Sequence, residues 1–114
     1  MHEVSLVISL IDQVQAESKK NDFTKVTDIR LGIGLWSGVD ADAIEFCYPE
    51  LIKGTILDGA QLHIDKIPLR VSCDQCFQES VLEDTSELNC PSCQSRLVKV
   101  LGGKEFKIID LDVL

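Results

Sequence analysis

Two cysteine pairs constrain this chain more than anything else in it. Cys73-Asp-Gln-Cys76 and Cys90-Pro-Ser-Cys93 are separated by thirteen residues. Each two-residue gap lets a tight turn aim both sulfurs at one point, so the four thiols form the ligand set of a closed tetrahedral zinc site. A module of about 35 residues around them cannot bury enough apolar surface alone, and a metal supplies the missing staple. Four thiolates leave no open position for water, which points to structural rather than catalytic zinc. A rubredoxin-like iron site uses similar pairs, but the lack of dense aromatic packing around these ranks iron below zinc. A thioredoxin-type redox role would need only one Cys-x-x-Cys.

Charge narrows the partners. Residues 1–68 carry 6 basic and 11 acidic side chains, residues 69–103 carry 3 and 5, and residues 104–114 carry 2 and 3. No segment is basic, and the net charge of −8 argues against nucleic acid as a partner. No run approaches the ~18 apolar residues a membrane span needs. Glu3 interrupts the start and no basic region precedes the first apolar stretch, so no signal peptide is expected. The expectation is a cytoplasmic protein whose thiols stay reduced, where paired cysteines favour metal over disulfide. Five cysteines in a disulfide framework would also leave one unpaired.

The first helix is predicted from Val4 to about Lys20. Val4, Val7, Ile8, Ile11 and Val14 recur at helical spacing, Leu6 and Leu10 widen the stripe, and Asn21-Asp22 end it. Lys25 to Ile33 reads as a strand through the alternation of Ile29, Leu31 and Ile33. Asp40 is a plausible N-cap for a second helix whose apolar face carries Ile44, Cys47, Tyr48, Leu51 and Ile52. Pro49 inside that pattern predicts a kink or an early end, and Lys53-Gly54 a stop. After the Asp58-Gly59 turn, Leu62 and Ile64 mark a second strand, and Pro68 a boundary.

Within the cysteine module, short strands are predicted at Leu69–Ser72, Phe77–Leu82 and Arg96–Leu101. Gly102-Gly103 is a hinge or a tight turn. Glu105 to Leu114 reads as a third long strand with Ile109, Leu111 and Val113 on one face, and it is expected to return to the first sheet. The module is then an insertion at residues 69–103. The rest, 1–68 with 104–114, forms a second domain.

Of the remaining candidates, Cys47 on an apolar helix face reads as an inert thiol. His63, mid-strand, reads as a surface or hydrogen-bonded histidine rather than a ligand. His2 is different. Its position brings the Met1 α-amine, the His2 backbone amide and the imidazole within one chelating reach, closing rings of five and six atoms around one metal. A planar nitrogen set of this kind suits Ni(II) or Cu(II). The amine must lose its proton, so binding is expected to weaken as pH falls. Glu3 by itself reads as a carboxylate favoured at a helix N-terminus.

Met1-His2-Glu3-Val4-Ser5-Leu6 at the start, with the two cysteine pairs late in a chain of this size, resembles the HypA/HybF family of nickel metallochaperones for hydrogenase and, in some organisms, urease maturation. Arg30-Leu31-Gly32-Ile33-Gly34, Gly54-Thr55, Gly59-Ala60-Gln61-Leu62 and the hydrophobic, Asp-rich final strand add to the likeness. The resemblance implies an α+β fold: two helices on a three-stranded mixed sheet, with an inserted four-cysteine zinc ribbon. It implies Ni(II) held by Met1 and His2, with Glu3 at or near the site, and structural Zn(II) on Cys73, Cys76, Cys90 and Cys93. It also implies a carrier rather than an enzyme, working with a maturation GTPase to supply the hydrogenase large subunit or urease accessory proteins, as a monomer or homodimer. Some members carry histidines directly after their cysteine pairs. Here Phe77 and Gln94 stand there, so a pH-driven ligand exchange at zinc is not expected. The competing expectation is a zinc-ribbon interaction module with no exchangeable metal. An electron-transfer iron protein is a third.

Overall fold

The computed structural model describes residues 2–83 and 88–114, and the side chains among them from Glu3 onward. It is elongated, about 52 × 28 × 17 Å, and its strands form two separate three-stranded sheets.

Helix α1 spans His2–Asn21 and begins two residues before the predicted Val4. Glu3 in its first turn and Lys19 and Lys20 in its last complement the helix dipole. Val7, Leu10, Ile11 and Val14 are buried, and their i, i+3, i+4, i+7 placement keeps them on one stripe. Ile8, expected on that stripe, is instead 47% exposed. It lies about 100° around the helix from Val7, at the border of the apolar face.

Strand β1 covers Val26–Gly34 and is the centre of the first sheet. Helix α2, Ala41–Leu51, starts where expected: the Asp40 carboxylate accepts from Asp42 N at 3.0 Å and Ala43 N at 3.4 Å. The helix runs two residues past Pro49. Proline in the last turn removes one intrahelical donor only, and Ile52 N still closes on Tyr48 O at 3.1 Å. Ile44, Tyr48 and Ile52 are buried, and Cys47 and Leu51 are half-buried beside them. Tyr48 also donates its hydroxyl to Ala60 O at 3.0 Å, and burial foremost, with the Asp28 charge, pushes its pKa up to about 12.

Strand β2, Gln61–Ile67, lies parallel to β1 on one side, and β6, Phe106–Val113, antiparallel on the other. The mixed three-stranded sheet with two helices is the expected architecture. The core is aliphatic, built from α1 and α2 against Val26, Ile29, Leu31 and Ile33, with Leu57 and Ala60 closing it. The opposite face is polar. His63 meets Asp28 at 2.9 Å, and Arg30 bridges Asp65 at 3.4 Å and Asp110 at 3.6 Å. These pairs are solvated and add little stability.

The final strand departs from simple alternation. Arg30 pairs with Asp110 but Leu31 with Ile108, so Ile109 is an extra residue in a β-bulge. The bulge reverses the phase: Phe106, Ile108 and Leu111 pack on the core, whereas Ile109 and Val113 are 43% and 44% exposed. The expected face of Ile109, Leu111 and Val113 is therefore corrected. An inserted residue flips every side chain after it, and a period-2 reading cannot see it.

The second sheet is ordered β4-β3-β5, from β3 at Leu69–Cys73, β4 at Glu79–Leu82 and β5 at Val98–Gly102, all antiparallel. Strand β4 starts two residues later than predicted because Phe77 has φ 61, a turn conformation no strand accommodates. Between the sheets, Gly103 (φ 111) is a locked turn rather than a hinge. Its carbonyl accepts from Trp36 N at 2.7 Å, its N–H donates to the Glu105 carboxylate, and Gly34 N donates to Glu105 O at 2.7 Å. The Gly103 N–H is also the main reason the Glu105 carboxyl sits below its usual pKa.

Candidate metal centres

The two cysteine turns are built alike. Cys73 N donates to Gln78 O at 2.9 Å and Phe77 N to Cys73 O at 3.0 Å. In the second turn Cys90 N donates to Ser95 O at 2.8 Å and Gln94 N to Cys90 O at 2.8 Å. The residue after each pair, Phe77 or Gln94, takes a positive φ of 61 or 67 to close the turn. That conformation normally favours glycine, and here it is held by the flanking hydrogen bonds.

Strand β3 carries Cys73 into the site from inside the second sheet, where Cys73 and Cys90 are almost wholly buried at 2% and 1% exposure. Cys76 is half-buried and Cys93 exposed. All four sulfurs lie within 4.8 Å of one another, with Cys73–Cys93 and Cys76–Cys90 both at 3.6 Å. Sulfurs about 2.3 Å from a tetrahedral zinc ion stand about 3.8 Å apart, so the cluster fits that ion without rearrangement. The predicted ligand set is thus brought together.

The electrostatics of the cluster also call for a cation. Backbone N–H groups of Cys76 and Gln75, at 3.4 and 3.3 Å from the sulfur, pull the Cys73 thiol down to about 6. The Cys93 and Ser92 N–H groups lower Cys90 in the same way. Cys76 goes the other way. The Gln78 backbone alone would lower it, but burial and the sulfurs of Cys90, Cys73 and Cys93 outweigh that and raise it to about 12. Cys93 is raised too, against the Ser95 backbone, by burial and the Cys73 and Cys90 sulfurs. Neighbouring sulfurs oppose one another's ionisation, and a positive ion in their midst relieves that repulsion and makes four thiolates compatible.

At the other end, Met1 and the side chain of His2 lie outside the described residues. Glu3 is described. Its Oε2 accepts from Asp40 N at 3.5 Å, which joins the first turn of α1 to the cap of α2. Asp40 was expected only as an N-cap, and its place beside Glu3 had no signal in the sequence because 37 residues separate them. Cys47 is near as well: burial raises its thiol pKa, and the Glu3 charge adds to the rise. A thiol so raised is unreactive, in keeping with its reading as inert. His63 hydrogen-bonds Asp28 on the polar sheet face, remote from both cysteine turns in the register of the sheet, and holds the Asp28 carboxyl below its usual range.

No helix among the described residues is long and apolar enough to cross a membrane. A family model described as hydrogenase/urease nickel incorporation, metallochaperone, HypA matches residues 1–113. The hydrogenase maturation factor HypA of Streptomyces avermitilis is 37% identical over 112 residues, covering 97% of this chain and 86% of that one. Its counterpart from Syntrophus aciditrophicus is 37% identical over 114 residues, 99% of each chain. The solution structure of the Ni metallochaperone HypA from Helicobacter pylori superposes with a TM-score of 0.71 at 25% identity, over 98% of this chain and 97% of that one. Another HypA solution structure gives 0.71 at 26% identity, over 100% and 97%. Fold, cysteine cluster and whole-length similarity agree, and the chain belongs to the HypA/HybF family of hydrogenase maturation factors, metallochaperones rather than enzymes.

Proposed function

We propose that this protein binds Ni(II) at Met1 and His2, with Glu3 beside them, and delivers it during hydrogenase maturation, while Zn(II) on Cys73, Cys76, Cys90 and Cys93 is structural. The observation that carries the division of labour is the closure of the cysteine cluster. Four sulfurs within 4.8 Å complete a tetrahedral shell, which leaves no position for a metal in transit. The exchangeable site belongs elsewhere. Helix α1 starts at His2, and Glu3 in its first turn accepts from the backbone N–H of Asp40, the cap of α2, which supports a role for Glu3 near that end of the helix.

An α-amine, a backbone amide and an imidazole donate through nitrogen in one plane, the geometry Ni(II) favours. Protonation of the amine offers a way to release the ion to an acceptor. In this reading residues 1–68 with 104–114 form the nickel domain and residues 69–103 the zinc domain. The partners are a maturation GTPase and the hydrogenase large subunit, or urease accessory proteins, in the reducing cytoplasm. Five free cysteines support that compartment.

The test is equilibrium dialysis against nickel with parallel zinc analysis, on protein with its native start. His2→Ala, or one residue added before Met1, should abolish nickel binding and leave zinc at one per chain. Nickel binding that survives both changes would overturn the terminal site. Phe77 and Leu97, 84% and 57% exposed near the cysteine turns, favour a second reading in which the zinc module docks a larger complex. It requires that residues 69–103 alone account for partner binding.

A further inference from the structure

The four sulfurs of the cysteine cluster are alike as ligands and unlike as nucleophiles. Cys73 and Cys90, the first of each pair, are almost wholly buried, Cys76 is half-buried, and of the four only Cys93 is exposed. The backbone around them differs in the same sense. Cys73 accepts from the N–H groups of Gln75 at 3.3 Å and Cys76 at 3.4 Å, and Cys90 from those of Ser92 and Cys93. The second sulfur of each pair has one leading backbone donor, Gln78 for Cys76 and Ser95 for Cys93. An N–H that donates to a thiolate draws electron density from it and makes it a weaker nucleophile. Once zinc is held all four are thiolates, so exposure and backbone donors rank them. Both put Cys93 ahead of Cys73 and Cys90, and exposure puts it ahead of Cys76.

We infer, on the reading that zinc occupies the four cysteines, that Cys93 is the reactive thiolate of the loaded cluster, and that a hydroperoxide joins it to Cys73 in a disulfide that releases the metal. Cys73 is the partner because its Sγ lies 3.6 Å from that of Cys93, across the two turns. Ser92 Oγ donates to Gln78 Oε1 at 2.9 Å, which ties the second turn to the first. The other cross-turn pair, Cys76 and Cys90, is equally close but has no exposed sulfur from which to start.

Two steps balance the chemistry. The Cys93 thiolate attacks the terminal oxygen of the hydroperoxide: an S–O bond forms, the O–O bond breaks, and the departing alkoxide or hydroxide takes a proton from water. The sulfur has given up two electrons and is a sulfenic acid. The Cys73 thiolate then attacks that sulfur: an S–S bond forms, the S–O bond breaks, and the hydroxide released takes a second proton. Cys76 and Cys90 remain, half of a tetrahedral shell. The second sheet thereby loses its staple, while the core around β1, to which no described residue from 69–103 contributes, persists. A dithiol reductant, itself oxidised to a disulfide, restores both thiols.

The test uses zinc-loaded full-length protein. Zinc analysis comes first: less than one zinc per chain would overturn the zinc reading, and the reactive Cys93 with it. Substoichiometric iodoacetamide followed by peptide mass mapping should place the first label in the cluster on Cys93, about fivefold or more over each of the other three. Hydrogen peroxide should release one zinc for each disulfide formed, and non-reducing peptide maps should show Cys73 joined to Cys93. C93H keeps a zinc ligand in place of the thiolate and should lose zinc to peroxide about tenfold more slowly, or slower still. Where C93H holds less than one zinc, the labelling and the disulfide map of the native protein decide. Equal labelling of the four sulfurs, first labelling of another, a disulfide other than Cys73–Cys93, or zinc loss from fully loaded C93H at the native rate would each overturn the assignment of Cys93 while leaving structural zinc intact.

Discussion

Gly34 and Gly103 touch so closely that a Cβ on Gly34 would lie 2.2 Å from the Gly103 carbonyl oxygen and 2.8 Å from Glu105 N. Both obstacles are backbone, so no rotamer change relieves them. This contact joins the two sheets: Gly103 itself would put a Cβ 2.8 Å from Leu69 Cα, at the first residue of β3. Gly34→Ala should cost about 3 kcal/mol. Gly38→Ala, at φ 77 but in open space, should cost only about 1–2 kcal/mol from its left-handed backbone. Urea midpoints of the zinc-loaded proteins distinguish the two, and equal losses would mean the junction tolerates separation.

Zinc removal should act on one sheet. Among the described residues, the core between the helices and the first sheet contains none from 69–103, while Leu69, Val71 and Cys73 are buried in the second. Cys73→Ser, or a strong chelator, should expose the Val71 amide to rapid hydrogen exchange while Leu31 stays protected. Acid should do the same, since each thiolate that takes a proton gives up its bond to the metal. Continued protection of Val71 without zinc would show that apolar packing alone holds the module.

Nickel binding should follow the α-amine. Its ordinary pKa is about 7.7–8.0, and a backbone amide that binds through nitrogen gives up its own proton as well, so below that range affinity should fall by about a hundredfold for each unit of pH. Nickel titrations at several pH values check this directly. An affinity that does not change between mildly acidic and mildly basic buffer would mean that the amine is not a ligand.

The bulge in β6 makes neighbouring residues unequal. Leu111 packs on the core and Ile109 lies across the sheet's other face, over Gly32. Leu111→Thr should cost about 2 kcal/mol, and Ile109→Thr less than about 1. Thermal unfolding of the two variants gives the comparison. The opposite order would restore uninterrupted alternation.

Much of the fold was legible because its causes are local. The apolar spacing of Val7, Ile11 and Val14 makes a helix wherever it is placed, and Asp40 caps α2 through amides two and three residues on. The cysteine quartet was equally plain, since two residues between thiols define a turn before any tertiary contact forms. Less was legible at the first turn of α1, where Glu3 looked like a helix-dipole residue and Asp40 like a cap.

The amino-acid sequence by itself determined which groups this protein can offer a metal and which segments become helix, strand and turn. Tertiary structure alone decided how distant segments meet: Glu3 with Asp40, His63 with Asp28, Gly34 with Gly103, and the phase of the last strand after Ile109. The reason is physical. Periodicity and turn chemistry act over a few residues of backbone, whereas register between strands is set by how whole faces pack, and one inserted residue reverses a face without altering composition.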